Sequence, residues 1–293
     1  MARRAAIICG IIAAVGYAVW AQQQWHTQSL AAHSATAEIQ LLDVGQGDAI
    51  HIRTTNGSDV LIDGGPDATV VERLGEELPF WDRTIELMVL SHPDVDHITG
   101  LVSVFDYYEV EQLVLVDLPA EKPLHKELLA RAQAHGTEIL HMRAGATVQL
   151  SRSETLTVLY PFTTTAVATL PSNDTSLFML YTFARSDGGA STTFLTGGDA
   201  ADTVENELVR ADVVPDVDIL KVGHHGSASS SSAQYVAAAR AEYAAISVGA
   251  ENDYGHPTAA ALERLATTSQ IVRTDQRGTI TFQLDETGYR LAD

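Results

Sequence analysis

Four side chains able to bind a metal ion lie within six consecutive positions of this chain: His92, Asp94, Asp96 and His97. They follow directly on the apolar run 85–90, which predicts a buried strand. A loop that leaves the end of such a strand can direct imidazole nitrogens and carboxylate oxygens at one point, and these atoms bind divalent ions. The first hypothesis is therefore a metal site.

Four other predicted strand ends share this arrangement, because an acid or a histidine follows shortly after the last apolar residue of each. These residues are Asp43, Asp63, Asp199 and the pair His224-His225. Residues 64–65 are both glycine and allow a close backbone approach after Asp63. Repeated delivery of Asp or His at strand ends predicts one site assembled from distant parts of the sequence.

The elements that must position these residues alternate along the chain. The early runs are β-rich and separated by Gly-rich or Asn-Gly turns, which is typical of hairpins. Strands are predicted at 38–42, 49–53, 60–62, 85–90, 113–116, 138–141, 155–159, 177–183, 193–195, 219–222 and 244–248. Helices are predicted at 68–78, 124–135, 200–210, 233–240 and 258–265. Many strands with intervening helices indicate a layered α/β fold.

Composition indicates a globular protein with an acidic surface. The chain has 293 residues, 45% of them hydrophobic and only 19% charged, which suits one large domain or two small ones. Its formal net charge is −20. Such a surface repels polyanions at long range, so contact with nucleic acid would need a local basic or metal-neutralised groove.

The first 36 residues differ from the rest. Arg3 and Arg4 precede an uncharged, mostly apolar run at 5–21, which is typical of a signal peptide and also compatible with a retained membrane anchor or a buried helix. Residues 22–36 form the predicted linker and 37–293 the predicted catalytic domain. In both export cases this domain lies outside the cytoplasm, as a secreted, periplasmic or membrane-anchored protein. The single cysteine, Cys9, lies in this leader, which excludes disulfides and zinc–thiolate sites from the domain.

Longer strings extend the pattern from residue 42 to residue 257: LDVGQGDAI, LIDGG, LSHPDVDHITGL, FLTGGD, LKVGHHGS and YGHP. In this combination the chain resembles the metallo-β-lactamase-fold hydrolases, specifically the type found as the C-terminal domain of the DNA-uptake channel protein ComEC. The general metal signature of that fold is HxHxDH. Here Asp94 replaces its second His, as in the ComEC-type branch. The chain resembles the hydrolase module standing alone, without the channel helices.

The resemblance implies an αββα four-layer sandwich with two metal ions along one edge of the paired sheets. By motif match, one ion would be bound by His92 and Asp94. The other would be bound by Asp96, His97 and His225, with Asp199 bridging both. Asp174 stands where the family has an additional His motif and is a further ligand candidate. Two such ions share a hydroxide and clamp both oxygens of a displacement.

Because Asp94 stands in place of the second His, the site gains a hard oxygen ligand, and the predicted ions are Zn²⁺ or Mn²⁺. The positively charged candidates for contacting a phosphate or protonating the leaving oxygen are Lys221, His224 and His256. Asp43, Asp48 and Asp63 are interpreted as supports of the ligands. Direct binding of a metal ion is an alternative role for Asp63. Asp199 is also a candidate N-cap of the helix that follows it.

Three functions remain open. The leading hypothesis is an extracytoplasmic metal-dependent phosphodiesterase or nuclease related to competence, with nucleic acid and the DNA-uptake machinery as partners, and the membrane as another if the leader is uncleaved. A second is hydrolysis of a lactam, lactone or other ester at the same metals. A third is a non-hydrolytic DNA-binding subunit of an uptake apparatus. Fold analogy does not choose among them.

Overall fold

Two large β-sheets face each other in the computed structural model, which describes residues 36–163 and 169–292. The strands, numbered β1 to β15, are Ala37–Leu41, Ile50–Arg53, Asp59–Ile62, Thr84–Val89, Glu109–Leu115, Glu138–His141, Thr147–Gln149, Glu154–Tyr160, Phe178–Phe183, Thr192–Thr196, Ile219–Lys221, Tyr243–Ile246, Gln270–Arg273, Ile280–Asp285 and Gly288–Leu291. Strands β1–β6 with β14 and β15 form the first sheet, in the order β15-β14-β1-β2-β3-β4-β5-β6, and the other seven form the second, in the order β13-β12-β11-β10-β9-β8-β7.

Seven α-helices lie in the described part of the chain and are numbered α1 to α7. They are Thr69–Glu77, Val95–Val104, Pro123–His135, Asp202–Arg210, Ala233–Ala239, Ala259–Leu265 and Thr274–Arg277. Two short 3-10 turns, Asn173–Thr175 and Gly223–Gly226, lie beside the candidate site.

Each sheet has an antiparallel half and a parallel half. In the first sheet β1 to β3 pair antiparallel, and β3 to β6 pair parallel. In the second sheet β7 to β10 pair antiparallel, and β10 to β13 pair parallel. The turn between β2 and β3 contains Gly57 at φ 85°, a left-handed conformation that glycine adopts without steric cost.

The layers follow from the period of two in each strand, which sends alternate side chains to opposite faces. In β3, Ile62 packs into the core between the sheets, whereas Leu61 packs under α1, α2 and α3. On the second sheet, Ile246 packs with Val236 of α5 and Leu265 of α6. The implied αββα four-layer sandwich is confirmed.

Several elements differ from the prediction. Residues 95–104, for which no helix was predicted, form α2, so that Asp96 and His97 lie on its first turn. Strands β7 and β13 to β15 and the short helix α7 were not predicted, although Ile280, Phe282 and Leu284 of β14 alternate with polar residues and are buried. β14 pairs antiparallel with β1 and thereby extends the first sheet.

The predicted leader at 1–36 falls outside the described residues except for Thr36. Within 36–163 and 169–292, no helix combines the length and the apolar character needed to span a bilayer.

Candidate metal centre

The strand ends that carry Asp and His meet at one edge of the sandwich. β3 leads to Asp63, β4 to His92, β10 to Asp199 and β11 to His225. β3 with β4 and β10 with β11 are parallel pairs, so each pair ends at a common edge. These residues therefore lie as predicted, at strand ends that are distant in the sequence and adjacent in the fold.

Four side chains form the centre of the cluster: Asp96, His97, Asp199 and His225 each offer one ligand atom, and these atoms lie within 4.8 Å of one another. Asp199 Oδ2 lies 3.3 Å from His97 Nε2 and 3.3 Å from His225 Nε2. Asp96 Oδ2 lies 3.4 Å from His225 Nε2. His92 adjoins this group, because its ring centroid is 4.2 Å from that of His97.

Hydrogen bonds behind the rings orient all three buried histidines. The Ser91 hydroxyl donates its hydrogen to Asp63 Oδ2 at 2.6 Å. The lone pairs of Ser91 Oγ can therefore accept a hydrogen bond from His92 Nδ1 at 3.0 Å. His97 Nδ1 donates to Asp63 Oδ2 at 2.9 Å, and His225 Nδ1 donates to a backbone carbonyl at 2.9 Å. This network directs each Nε2 atom into the cluster, as in metal sites whose histidines are held by the other ring nitrogen.

The atoms aimed into the cluster fit a divalent cation. The Nε2 atoms of His92, His97 and His225 and Asp199 Oδ1 are buried and have no hydrogen-bond partner within the described residues. Unpaired buried polar atoms are costly to maintain, and nitrogen together with carboxylate oxygen is a ligand set for Zn²⁺ and Mn²⁺. The donor set therefore suits the predicted metal.

The cluster combines buried histidines with a buried carboxylate, and each shifts the pKa of the other. Burial alone would lower the pKa of His97 and of His225, but the carboxylate of Asp199 raises both well above their usual value. Burial would raise the pKa of Asp199, yet His225 and His97 hold it well below its usual range. Metal ligation requires neutral imidazole, so a bound ion would replace these protons as the positive charge.

His92 differs from the other two rings. Burial, with a contribution from the neighbouring His97, lowers the pKa of His92 to about 4, so this imidazole is neutral near pH 7. A neutral ring with Nδ1 donating to Ser91 presents the lone pair of Nε2 for ligation.

Asp94 stands beside His92, with its Oδ2 3.8 Å from His92 Nε2. Its other carboxylate oxygen pairs with Lys122 Nζ, which also donates to Ser172 Oγ at 2.8 Å. Mainly through this Lys122 contact, the pKa of Asp94 is lowered despite its partial burial. Sequence reasoning missed Lys122, which lies 28 positions downstream in no recognisable motif.

Lys221 requires a correction of its predicted role. Its side chain is fully buried, where Nζ pairs with Asp48 and lies 3.8 Å from Asp199 Oδ1. The ammonium therefore compensates carboxylates from inside the protein and does not face the open side as a contact for phosphate. Asp48 itself lies behind the ligands, 3.8 Å from His97 Nδ1 and 3.4 Å from His225 Nδ1.

Asp63 takes the supporting position rather than the alternative ligand position, since both of its oxygens accept hydrogen bonds from Ser91 and one also from His97. Asp43 is not among the clustered groups, and its Oδ1 accepts from Gly45 N at 3.3 Å. It belongs to the turn that follows β1.

The predicted helix cap is corrected, because the N-cap position of α4 is Ala201 and not Asp199. Asp174 contacts the start of the same helix, where its Oδ1 accepts from Ala201 N at 3.0 Å. Its neighbour Asn173 lines the cleft instead.

The cluster opens into a cleft of about 170 Å³. It is lined by Gln46, Asp94, Asp96, Asn173, Asp199, His224, His225, Tyr254 and His256. His224 and His225 have φ of 50° and 51°, a left-handed conformation that L-residues rarely adopt and that is often concentrated at functional sites. His224 Nε2 lies 3.7 Å from Asp199 Oδ2.

Solved structures with the same arrangement of sheets are recognisable despite low sequence identity. CmlA, a diiron β-hydroxylase from Streptomyces venezuelae, superposes over 84% of this chain and 53% of its own, with a TM-score of 0.53 and 15% identity. Zn²⁺-bound PqqB from Methylobacterium extorquens superposes over 81% of this chain and 97% of its own, with a TM-score of 0.50 and 9% identity. The chain has the metallo-β-lactamase fold.

Sequence comparison connects this metallo-β-lactamase-fold chain with competence proteins. ComE operon protein 3 of Bacillus subtilis is 28% identical over 270 residues, covering 85% of this chain and 33% of the relative. Recombination protein 2 of Haemophilus influenzae is 28% identical over 236 residues, covering 78% and 26%. The chain thus spans a third or less of these relatives. They confirm the predicted resemblance to ComEC-type proteins, although no family model matches.

Proposed function

We propose that this chain is a metal-dependent phosphodiesterase that cleaves nucleic acid outside the cytoplasm. The observation that carries the proposal is the convergence of three oriented imidazole Nε2 atoms with Asp96 and Asp199 beneath an open cleft, which Asp96, Asp199 and His225 line. Imidazole and carboxylate ligands beside such a cleft are typical of metal-assisted hydrolysis.

Two ions are part of this proposal. His92 and Asp94 would hold one, Asp96, His97 and His225 would hold the other, and Asp199 would be a further ligand. When bound, such ions polarise a phosphoryl oxygen and lower the pKa of a water molecule so that it attacks at neutral pH. Asp94 contributes a hard oxygen ligand, which favours Mn²⁺ as an alternative to Zn²⁺.

The remaining side chains of the cleft can orient a substrate and take part in proton transfer. His224 and His256 lie on the open side, with ring centroids 5.6 Å apart. Burial lowers the pKa of both rings, which favours their neutral form near neutral pH, so each ring is better suited to accept a proton than to donate one. Lys122 lies beside the cleft, where its Nζ pairs with the carboxylate of Asp94.

The names of the relatives support the choice of nucleic acid as substrate, since they describe competence and recombination proteins. A place in a DNA-uptake apparatus follows as part of the same proposal. Export through the leader is a further part, tested by fusing residues 1–36 to a reporter enzyme that is active only outside the cytoplasm and measuring its activity.

The decisive test combines metal analysis with a substrate panel. We expect the purified protein loaded with Mn²⁺ or Zn²⁺ to hydrolyse single-stranded DNA or a model phosphodiester, and not a chromogenic β-lactam. Asp96→Ala should reduce turnover at least 100-fold while the circular dichroism spectrum stays native. Asp106→Ala, an exposed carboxylate paired with Arg131, is the matched control. Activity on the β-lactam alone, or full activity in Asp96→Ala, would contradict the proposal.

A further inference from the structure

Tyr254 is an exposed aromatic residue inside a polar cleft. It lines the cleft together with Asp96 and Asp199, yet 70% of its surface is accessible to solvent. A large aromatic ring left exposed at a binding cleft offers apolar area that a ligand can cover.

The ring of Tyr254 is the outer member of a row of aromatic side chains. It stacks on His256 with a centroid distance of 5.8 Å and an interplanar angle of 26°. His256 in turn meets His224 edge to face at 5.6 Å, and His224 Nε2 is 3.7 Å from Asp199 Oδ2. The row therefore runs from the metal centre to solvent.

Asn252 holds this row in place although the segment has no regular secondary structure. Its Oδ1 accepts from Tyr254 N at 3.2 Å and from His256 N at 3.0 Å. Its Nδ2 donates to the carbonyl oxygens of Gly249 at 2.9 Å and His256 at 2.8 Å. A ring on a preorganised backbone loses little conformational entropy when a ligand stacks on it.

The charge of the cleft favours contact with a base over further contact with phosphates. The residues that line it include three aspartates and, among the described residues, no lysine or arginine. The whole chain carries a formal net charge of −20. Stacking on a π-face needs no cation and is tolerant of sequence, and only an unpaired base exposes its face.

We propose that Tyr254, supported by His256, is a stacking platform for an unpaired nucleobase of the strand held at the metal centre, an inference that rests on the proposed nuclease function. The substrate class is accordingly single-stranded nucleic acid. A duplex, whose bases stack on one another, would not use the platform.

A fluorescent base provides a direct test. The probe is a short single strand with phosphorothioate linkages that slow its hydrolysis, with 2-aminopurine as its bases, added to the metal-loaded full chain. Stacking on a tyrosine should quench its emission on binding. In Tyr254→Ala we expect the quenching to disappear and the dissociation constant to rise about tenfold. Tyr254→Phe should keep both, and Tyr107→Ala, which removes an exposed tyrosine beyond the far end of α2, is the matched control.

Cleavage kinetics supply the second readout. For the unaltered protein we expect kcat/KM about tenfold higher for oligothymidylate than for an abasic strand of the same length, and this ratio should fall toward one in Tyr254→Ala. An unchanged ratio with unchanged quenching would overturn the platform while leaving the nuclease function intact. If no nucleic acid is bound or cleaved by the metal-loaded protein, both proposals fail.

Discussion

Asp63 organises the metal centre without facing the cleft. Its two oxygens accept hydrogen bonds from the backbone and hydroxyl of Ser91 and from His97 Nδ1. Through the Ser91 hydroxyl, Asp63 also orients His92. The carboxylate of Asp63 thus orients both His92 and His97, which belong to different proposed subsites. Supporting groups of this kind commonly change metal affinity by 10–100-fold.

The Ser91 hydroxyl is the link that is easiest to remove. We expect Ser91→Ala to weaken binding of one of the two ions by about 10–100-fold, because His92 Nδ1 loses its acceptor. Competition titration with a metal chelator measures this change. Ser103→Ala, which removes a hydroxyl bonded only to the Thr99 carbonyl of its own helix, should leave affinity unchanged. Equal affinities in both variants would show that Ser91 does not orient the ring.

In the proposed two-ion site, Asp94 would add a hard oxygen ligand beside His92. Replacement by histidine restores the general HxHxDH pattern and removes a carboxylate oxygen, so we expect Asp94→His to shift metal preference toward Zn²⁺. The measurement is the ratio of Zn²⁺ to Mn²⁺ affinity in the variant and the unaltered protein. A ratio that does not change would place Asp94 outside the metal shell, paired only with Lys122.

At the level of elements, the position of α2 depends on two glycines in contact. A Cβ on Gly100 would lie 1.8 Å from Gly64 O, and a Cβ on Gly64 would lie 2.3 Å from Leu101 N. The segments are joined by hydrogen bonds from Gly64 N to His97 O at 2.7 Å and from Gly100 N to Gly65 O at 3.1 Å. This contact places Asp96 and His97 at the site.

Gly100→Ala should therefore force the helix away from the loop. Overpacking of this kind costs about 1–3 kcal/mol, and contact with backbone puts this case at the upper end. The matched control is Gly75→Ala in α1, where a Cβ meets nothing within 4 Å. It should stabilise the protein by about 0.5–1 kcal/mol through helix propensity. Urea denaturation compares the two, and equal effects would contradict the close contact.

Glu205 connects α4 to the loop after β11. It is buried and accepts from Ser231 N at 2.6 Å and Ser232 N at 2.7 Å. Burial raises the pKa of Glu205 to about 7, although the two N–H groups lower it. Because this folded-state pKa exceeds that of the unfolded chain, the group's stabilising contribution is fully present below about pH 4 and is lost as pH rises through 7.

Glu205→Gln should remove that dependence. Between pH 5 and pH 8 we expect the unaltered protein to lose about 2 kcal/mol of unfolding free energy relative to Glu205→Gln. Glu207→Gln, on the exposed side of the same helix, is the control that should follow the unaltered protein. Denaturant titrations across this range measure the difference, and a constant difference would contradict the raised pKa.

The candidate metal centre contains residues from both sheets of the sandwich. His92, Asp96 and His97 follow the first sheet's β4, whereas Asp199 and His225 follow strands of the second sheet. An ion bound by both groups connects residues more than 100 positions apart in the sequence. Because only the folded chain brings these ligands together, metal binding should stabilise the fold.

Removal of metal should accordingly lower the melting temperature. Metal at 100 times its dissociation constant stabilises by about 2.7 kcal/mol, which corresponds to about 5–10 °C for a domain of this size. Differential scanning calorimetry with and without a chelator measures the shift. Asp199→Ala should abolish most of it and Asp106→Ala should retain it. If the chelator leaves the melting temperature unchanged, bound ions do not stabilise the fold.

The layered α/β class, most strand and helix positions and the residue types at the strand ends could be predicted from the amino-acid sequence. These features depend on local alternation, turn residues and motif spacing, which act over a few positions. The elements α2, α7, β7 and β13 to β15 were not predicted, even though the alternation in β14 was present.

The contacts between polar groups could not be predicted in this way, because they form between residues far apart in the chain. Lys122 pairs with Asp94 from 28 positions away, Lys221 is buried beneath the ligands, and Asp174 turns to the start of α4. The tertiary structure also leaves Tyr254 exposed above the cleft. These outcomes depend on sheet register and on how helices pack across layers, and such long-range contacts leave no periodic trace in neighbouring residues.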